Sequence, residues 1–170
     1  VNAPPQLPGR ADETLRFLHA YWTLWQTLSS HADDLLRTRF GLDLRDFIAL
    51  SYLTGPTPLT PSDLVREMHL PKYVISRTLE HLARHEAVTS STDPADGRRL
   101  HYTLTPHGEE LQRSALHAIQ GQVRPALAAL GPHASELTRH LEHLLAAATR
   151  PPGHRKPATG KPTARKEKTT

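Results

Sequence analysis

The chain has 170 residues, no cysteine, twelve histidines and a formal charge of +4. That length supports one sizeable core, and the composition excludes disulfides, thiolate metal sites, cysteine nucleophiles and thiol redox sensing. The charge is divided: residues 150–170 hold seven basic side chains against Glu167, a local +6, while residues 1–149 hold fourteen basic and sixteen acidic ones, −2. An alkaline pI is then no argument for nucleic-acid binding, and local placement of charge has to carry it.

Val1 to Gly9 is proline-rich and lacks a cationic stretch followed by an apolar run, and no 18-residue apolar stretch occurs. The expectation is a soluble cytoplasmic protein without a membrane partner. From Asp12 to about Arg39, Leu15, Leu18, Trp22, Trp25, Leu28, Ala32 and Leu35 recur at spacings of three and four, which predicts a helix. Phe17, Tyr21, Leu24 and Leu36 add a second apolar face, more than one intrachain packing surface covers, so a partner subunit is expected over the remainder.

Gly41 breaks the pattern, and Asp43 can cap a second helix bearing Phe47, Ile48, Leu50 and Leu53 that stops before Gly55-Pro56. Thr60 opens a third helix, with Pro61 at its first position and Asp63 three residues after the cap, close to a capping box; it ends near Met68. After a turn at His69-Leu70, a fourth helix is predicted from about Pro71 to His85. It buries Ile75, Leu79 and Leu82 and leaves Lys72, Tyr73, Ser76, Arg77 and Glu80 outward.

Val88 to Thr92 and Arg99 to Leu104 read as strands joined by the turn formers of Asp93-Pro94-Ala95-Asp96-Gly97. Leu100, Tyr102 and Leu104 are expected inward and Arg99, His101 and Thr103 outward. Thr105-Pro106 starts a long helix through Leu111, Ala115, Ala118, Ile119 and Val123, which Pro125 should kink or break. Gly131-Pro132 precedes a last helix with Leu137, Leu141, Leu144 and Leu145 at bundle spacing. From Pro151 onward apolar residues give way to Pro, Gly, Lys and Thr, and disorder is expected.

The expected fold is mainly α with a small β-wing: a winged helix-turn-helix DNA-binding lobe plus a helical dimerisation region. Residues 1–11 form a flexible arm, 12–149 a single domain and 150–170 a disordered basic tail. Within the domain, 43–105 is expected to form the winged helix-turn-helix. In such a lobe one helix fills a major groove while the wing carries arginine towards the adjacent minor groove.

Leu59-Thr60-Pro61-Ser62-Asp63-Leu64 followed by Val74-Ile75-Ser76-Arg77-Thr78-Leu79 resembles the helix-turn-helix of the MarR family of bacterial transcription regulators. Asp96-Gly97-Arg98-Arg99 with Tyr102-Thr103-Leu104-Thr105-Pro106-His107-Gly108 resembles that family's wing and its step into the next helix. The resemblance assigns 12–40 and 106–149 to dimerisation, and implies an obligate homodimer that binds a pseudo-palindromic operator and is released by a small ligand. The chain departs from the family pattern at Glu86, where a glycine usually ends the recognition helix, and at Pro71, where a serine or threonine cap is common.

A helix fits the major groove, where each base pair shows its own donor and acceptor pattern. Arg77 can fork onto guanine O6 and N7, Lys72 can reach guanine or phosphate, and Tyr73 and Ser76 can offer hydroxyls. On the wing, Arg98 is the candidate for the minor groove, Arg99 for phosphate, and Asp96 for support of Arg98. Leu15, Leu18, Trp22, Leu137, Leu141 and Leu144 are the candidate dimer interface. The resemblance places an effector pocket between the dimer helices and the DNA-binding lobe, where Trp22, Phe47 and Tyr52, with Trp25 nearby, are candidate walls for a small aromatic or phenolic anion, with Arg45 or Arg16 as counter-charge.

His81 and His85, and His140 and His143, lie about one helical turn apart, but the spacing is a weak metal signal and neither a metal nor another cofactor is expected. No phosphate loop, nucleophile elbow or carboxylate dyad is recognisable, so no enzymatic activity is expected. The expected function is a sequence-specific DNA-binding transcription regulator, a homodimeric repressor whose partners are double-stranded DNA and a second copy of the chain. The alternative is a winged-helix module that binds protein, which would need an apolar outward face on residues 71–85. The basic tail is either an aid to non-specific DNA binding or a solubilising extension.

Overall fold

The structure, a computed structural model, describes residues 12–92 and 99–149. Among them six helices and one two-stranded sheet follow in the order α1 Glu13–Phe40, α2 Leu44–Leu53, α3 Pro61–Met68, α4 Lys72–Arg84, β1 Val88–Thr92, β2 Leu100–Leu104, α5 Pro106–Ala129 and α6 His133–Ala148. This is the expected helical architecture with a small β-wing. None of the described helices is long and apolar enough to cross a membrane. The chain divides into two compact units, Val1–Ala126 and Leu127–Thr170.

Helix boundaries are set by local chemistry. Gly41 closes α1 with φ 68°, a left-handed conformation that costs other residues more than glycine; its amide reaches Arg37 O and the Leu42 amide reaches Leu36 O. Asp43 caps α2 in a full capping box, its side chain accepting from the Asp46 amide while Asp46 accepts from the Asp43 amide. Asp33, one turn before the end of α1's buried stretch, accepts the Leu44 amide at 2.7 Å, so α1 satisfies an otherwise orphaned donor of α2. Thr60 and Asp63 form the second capping box, with Pro61 at the first helical position.

Pro71 caps α4 without a side-chain hydrogen bond; its carbonyl accepts the Val74 and Ile75 amides. Ile75, Thr78, Leu79 and Leu82 form the buried stripe of α4. They pack in one core with Leu36 of α1, Leu50 and Leu53 of α2, Leu64 of α3, Val88 of β1 and Ala115 of α5.

β1 and β2 pair antiparallel, Val88 opposite Leu104 and Thr92 opposite Leu100. The inward alternation expected along β2 fails at Leu100, which is 42% exposed. Only the base of this ribbon has neighbours in the core, through Tyr102 and Leu104, and Leu100 lies beyond their reach. The base gains a partner that periodicity does not reveal: Leu59 bridges Tyr102, its amide donating to Tyr102 O at 3.1 Å and accepting the Tyr102 amide on its own carbonyl at 2.8 Å.

Thr105 closes the wing. Its hydroxyl donates to Glu86 O at 2.6 Å and accepts the Gly108 amide at 3.0 Å, while its own amide donates to Ala87 O at 3.0 Å. Pro125 does not break α5, which continues to Ala129; a proline this close to a helix end removes one backbone bond where few remain. The boundary between the two compact units falls directly after Ala126.

Two backbone positions carry testable consequences. Glu86 has φ 55°, so the residue that departs from the family glycine still adopts the left-handed conformation, at a cost of about 1–2 kcal/mol for an L side chain. Glu86→Gly should raise the stability by about 1 kcal/mol once the extra freedom of unfolded glycine is subtracted, read from urea midpoints; a lower midpoint would contradict this. A Cβ on Gly108 would lie 1.9 Å from Ala87 O and 2.8 Å from Ala87 C, backbone that cannot step aside. Gly108→Ala should cost about 1–3 kcal/mol, and an unchanged midpoint would show that the close approach is not needed.

Candidate nucleic-acid interface

Burial of its apolar stripe fixes which side of α4 meets solvent. Tyr73 is 65% exposed, Lys72, Arg77 and Glu80 are exposed, and Ser76 is half-buried. Cations flank the amino-terminal half of the helix on both sides. Lys72 and Arg99 line one hollow of about 540 Å³ with Thr60, Asp63 and His101, where the starts of α3 and α4 meet the wing. Tyr73 and Arg77 line another of about 510 Å³ with Arg37, Arg45 and His81. Arg37 and Arg45 join this surface without a sequence signal beyond their charge; both approach Asp43, at 3.8 and 2.8 Å. The wing-tip candidates Arg98 and Asp96 lie outside the described residues.

A polar linkage ties α4 to the cap of α2. Asp46, only 4% exposed, holds Oδ2 at 2.9 Å from both the Asp43 amide and His81 Nδ1. His81 Nε2 in turn lies 3.1 Å from His85 Nε2. A buried carboxylate needs such donors to offset its lost hydration.

Burial, the largest influence on Asp46, raises its pKa, and the Asp43 amide and His81 offset this only in part. Burial also acts to raise the pKa of Asp43, but the Asp46 amide and the Arg45 guanidinium outweigh it and hold that carboxyl below its ordinary 3.8. A depressed folded-state pKa contributes stability that is present above the unfolded value and lost as pH falls through the folded one; the raised pKa of Asp46 acts in the opposite sense. The stability difference between the wild type and Asp43→Asn should therefore be present at about pH 7 and shrink by about pH 3. Urea midpoints at the two pH values check this, and a constant difference would contradict it.

The remaining candidates fall on two surfaces and in one cavity. In the single chain α1 buries only Ala32 and Leu36, and Leu15, Leu18 and Trp22 are exposed, the last at 60%. α6 has no buried residue, and Leu137, Leu141 and Leu144 are likewise exposed. A cavity of about 610 Å³ opens among α1, α2 and the end of α3, lined by Trp25, Arg45, Ile48, Tyr52, Met68 and Leu70 among others. Of the three pocket candidates Tyr52 lines it, its hydroxyl donating to Glu67 O at 3.1 Å. Phe47 is packed in the core and Trp22 is on the open face of α1, because helical phase turns both away from the cavity.

Residues 40–99 match the model of the MarR family. No curated protein matches the sequence significantly. Among solved structures, the fold is similar to that of the transcriptional regulator BldR from Sulfolobus solfataricus, with a TM-score of 0.74 at 19% identity over 82% of this chain and 99% of that one. It is similar to Bordetella bronchiseptica BpsR, solved for the regulation of its DNA binding by 6-hydroxynicotinic acid, with a TM-score of 0.69 at 19% identity over 81% and 98% of the two chains. It is also similar to S. aureus MepR in complex with DNA, with a TM-score of 0.70 at 18% identity over 78% and 97%. These likenesses are of fold, and the family model matches the segment that holds the helix-turn-helix and the first strand of the wing. Over residues 40–99 the chain is thus similar to the MarR family of transcription regulators, and its fold is that of the regulators named above.

Proposed function

We propose that the protein is a homodimeric repressor that binds a pseudo-palindromic operator and is released by a small ligand. The observation that carries this reading is the outward face of α4, polar and cationic at Lys72, Tyr73 and Arg77 while its opposite face is held in the core. In this reading residues 43–105 contact DNA, Arg77 reads a base edge, Lys72 and Arg99 bind phosphate, and Arg98 approaches the minor groove with Asp96 as its support. An apolar face would be needed for a protein-binding winged helix, and this one is charged.

Pairing is supported by the apolar side chains that α1 leaves in solvent. Each is already about half covered, so burial of the remainder contributes about 1 kcal/mol, and a second copy of the chain offers the complementary face by symmetry. Leu15, Leu18 and Trp22 with Leu137, Leu141 and Leu144 form that interface, so residues 12–40 and 106–149 act as the dimerisation region. The cavity beside Trp25 and Tyr52 suits a planar aromatic or phenolic anion, with Arg45 as counter-charge. The similar BpsR, whose DNA binding is regulated by 6-hydroxynicotinic acid, supports that chemical class.

Arg77→Ala should weaken binding to the operator by about 1–3 kcal/mol and relax preference at one base pair, whereas Arg99→Ala should weaken all sequences alike and lower the salt slope by about one. Gel-shift titrations on DNA flanking the protein's own gene, at two salt concentrations, separate the two; equal losses on operator and random DNA for Arg77→Ala would exclude direct readout. Leu18→Asp or Trp22→Asp should give monomers that fail at the operator. A monomeric variant with full operator affinity, identified by sedimentation, would refute the coupling of pairing to binding.

A further inference from the structure

We propose that His81 and His85 form a binding site for a divalent transition-metal ion, Zn²⁺ in the first instance, with Asp46 as the carboxylate behind His81. The one-turn spacing is common on helices and by itself carries little. The geometry adds three features. The two Nε2 atoms lie 3.1 Å apart, near the separation of about 3.3 Å that two nitrogens adopt on a tetrahedral zinc with bonds of about 2.0–2.1 Å. The two rings are 77° apart with centroids at 4.6 Å, an edge-on arrangement in which they do not stack.

The second feature is the tautomer. Asp46 Oδ2, an acceptor, lies 2.9 Å from His81 Nδ1, which places the His81 proton on Nδ1 and leaves Nε2 as a bare lone pair facing His85. A carboxylate behind a histidine in this way orients the ring and raises its strength as a ligand. Asp46 is itself fixed, since the same oxygen accepts the Asp43 amide at 2.9 Å. The third feature is room. A Cβ at Gly41 would stand 3.1 Å from His85 Cε1, so the absence of a side chain there admits the ring, and the His81 side chain is 32% exposed, which leaves water access to the ion.

Among the described residues no third histidine, cysteine or carboxylate joins the pair. Water therefore completes the coordination, and the site is open. The ion takes the place of the hydrogen bond between the two rings. It fastens the last turn of α4 and, through His81 and Asp46, strengthens the tie between the recognition helix and the cap of α2.

Titration of the tag-free full-length chain with ZnCl₂ in a calorimeter tests the site. One ion per chain is expected, absent in His85→Gln and in His81→Gln, unchanged in His140→Gln, and weakened about 10–100-fold in Asp46→Asn. Zn²⁺ should also raise the thermal midpoint of the wild type and not that of the two glutamine variants, with far-UV circular dichroism confirming that each variant is folded. Absence of saturable binding to the wild type, or binding that survives both His81→Gln and His85→Gln, would overturn the site. Undiminished affinity in Asp46→Asn would overturn the part assigned to the carboxylate.

Discussion

One helix has to lie half in an apolar core and half in water, and the rest of the described lobe is arranged around that constraint. Ile75, Leu79 and Leu82 fill the space among Leu36, Leu50 and Leu64, contributed by three other helices, and each such side chain is worth about 1.5–3 kcal/mol when buried. Rotation of α4 by a single residue would take the stripe out of the core and drive Arg77 into it, which is far more costly than any surface contact could offset. The orientation of Lys72, Tyr73 and Arg77 is thus a by-product of packing. The Asp46–His81 hydrogen bond adds a directional tie that fixes the register of α4 against α2 in a way that apolar contacts alone do not.

Features with short-range causes were legible in the residues. Thr60-Pro61 with Asp63 and Thr105-Pro106 announce their helices because cap, proline and partner lie within four positions. Gly41 announces a stop for the same reason. Features that depend on distant neighbours were hidden. Asp46 and His81 stand 35 residues apart, and Asp46 reads from the chain as an ordinary first-turn acid. Leu59 pairs with Tyr102 as a single bridge, which has no period to detect. The phase of Phe47 and Trp22 against the cavity depends on how α1 and α2 pack. Leu100 fails to face inward because alternation along a strand specifies a face but not whether anything lies opposite it. Glu86 is an intermediate case: its departure from the family glycine was visible, and the backbone accommodates it by keeping the conformation and accepting the strain.

Surfaces left unsatisfied by folding are as informative as those that are satisfied. The amino-terminal two-thirds of α1 carries Leu, Phe, Tyr and Trp side chains into solvent in the single chain, and exposed apolar area on this scale marks an interaction surface. Cationic side chains collect on the other exposed feature, the start of α4 and its flanks, although residues 1–149 as a whole are net acidic. Arg37, Arg45, Lys72, Arg77 and Arg99 outnumber the Asp43, Asp46 and Asp63 that line the same hollows. A local cationic excess of this kind orients an approaching polyanion towards that face.

The proposed function requires two α4 helices held one duplex turn apart, and the cysteine-free sequence allows that separation to be measured directly. A nitroxide on Ala83→Cys, exposed towards the far end of α4 and not among the residues assigned to DNA contact, reports the separation of the paired α4 helices by pulsed dipolar spectroscopy on the DNA-bound protein. A distance distribution centred near about 34 Å is expected for helices in successive major grooves. Absence of dipolar coupling, or a separation that cannot fit two major grooves on one face of the duplex, would contradict it.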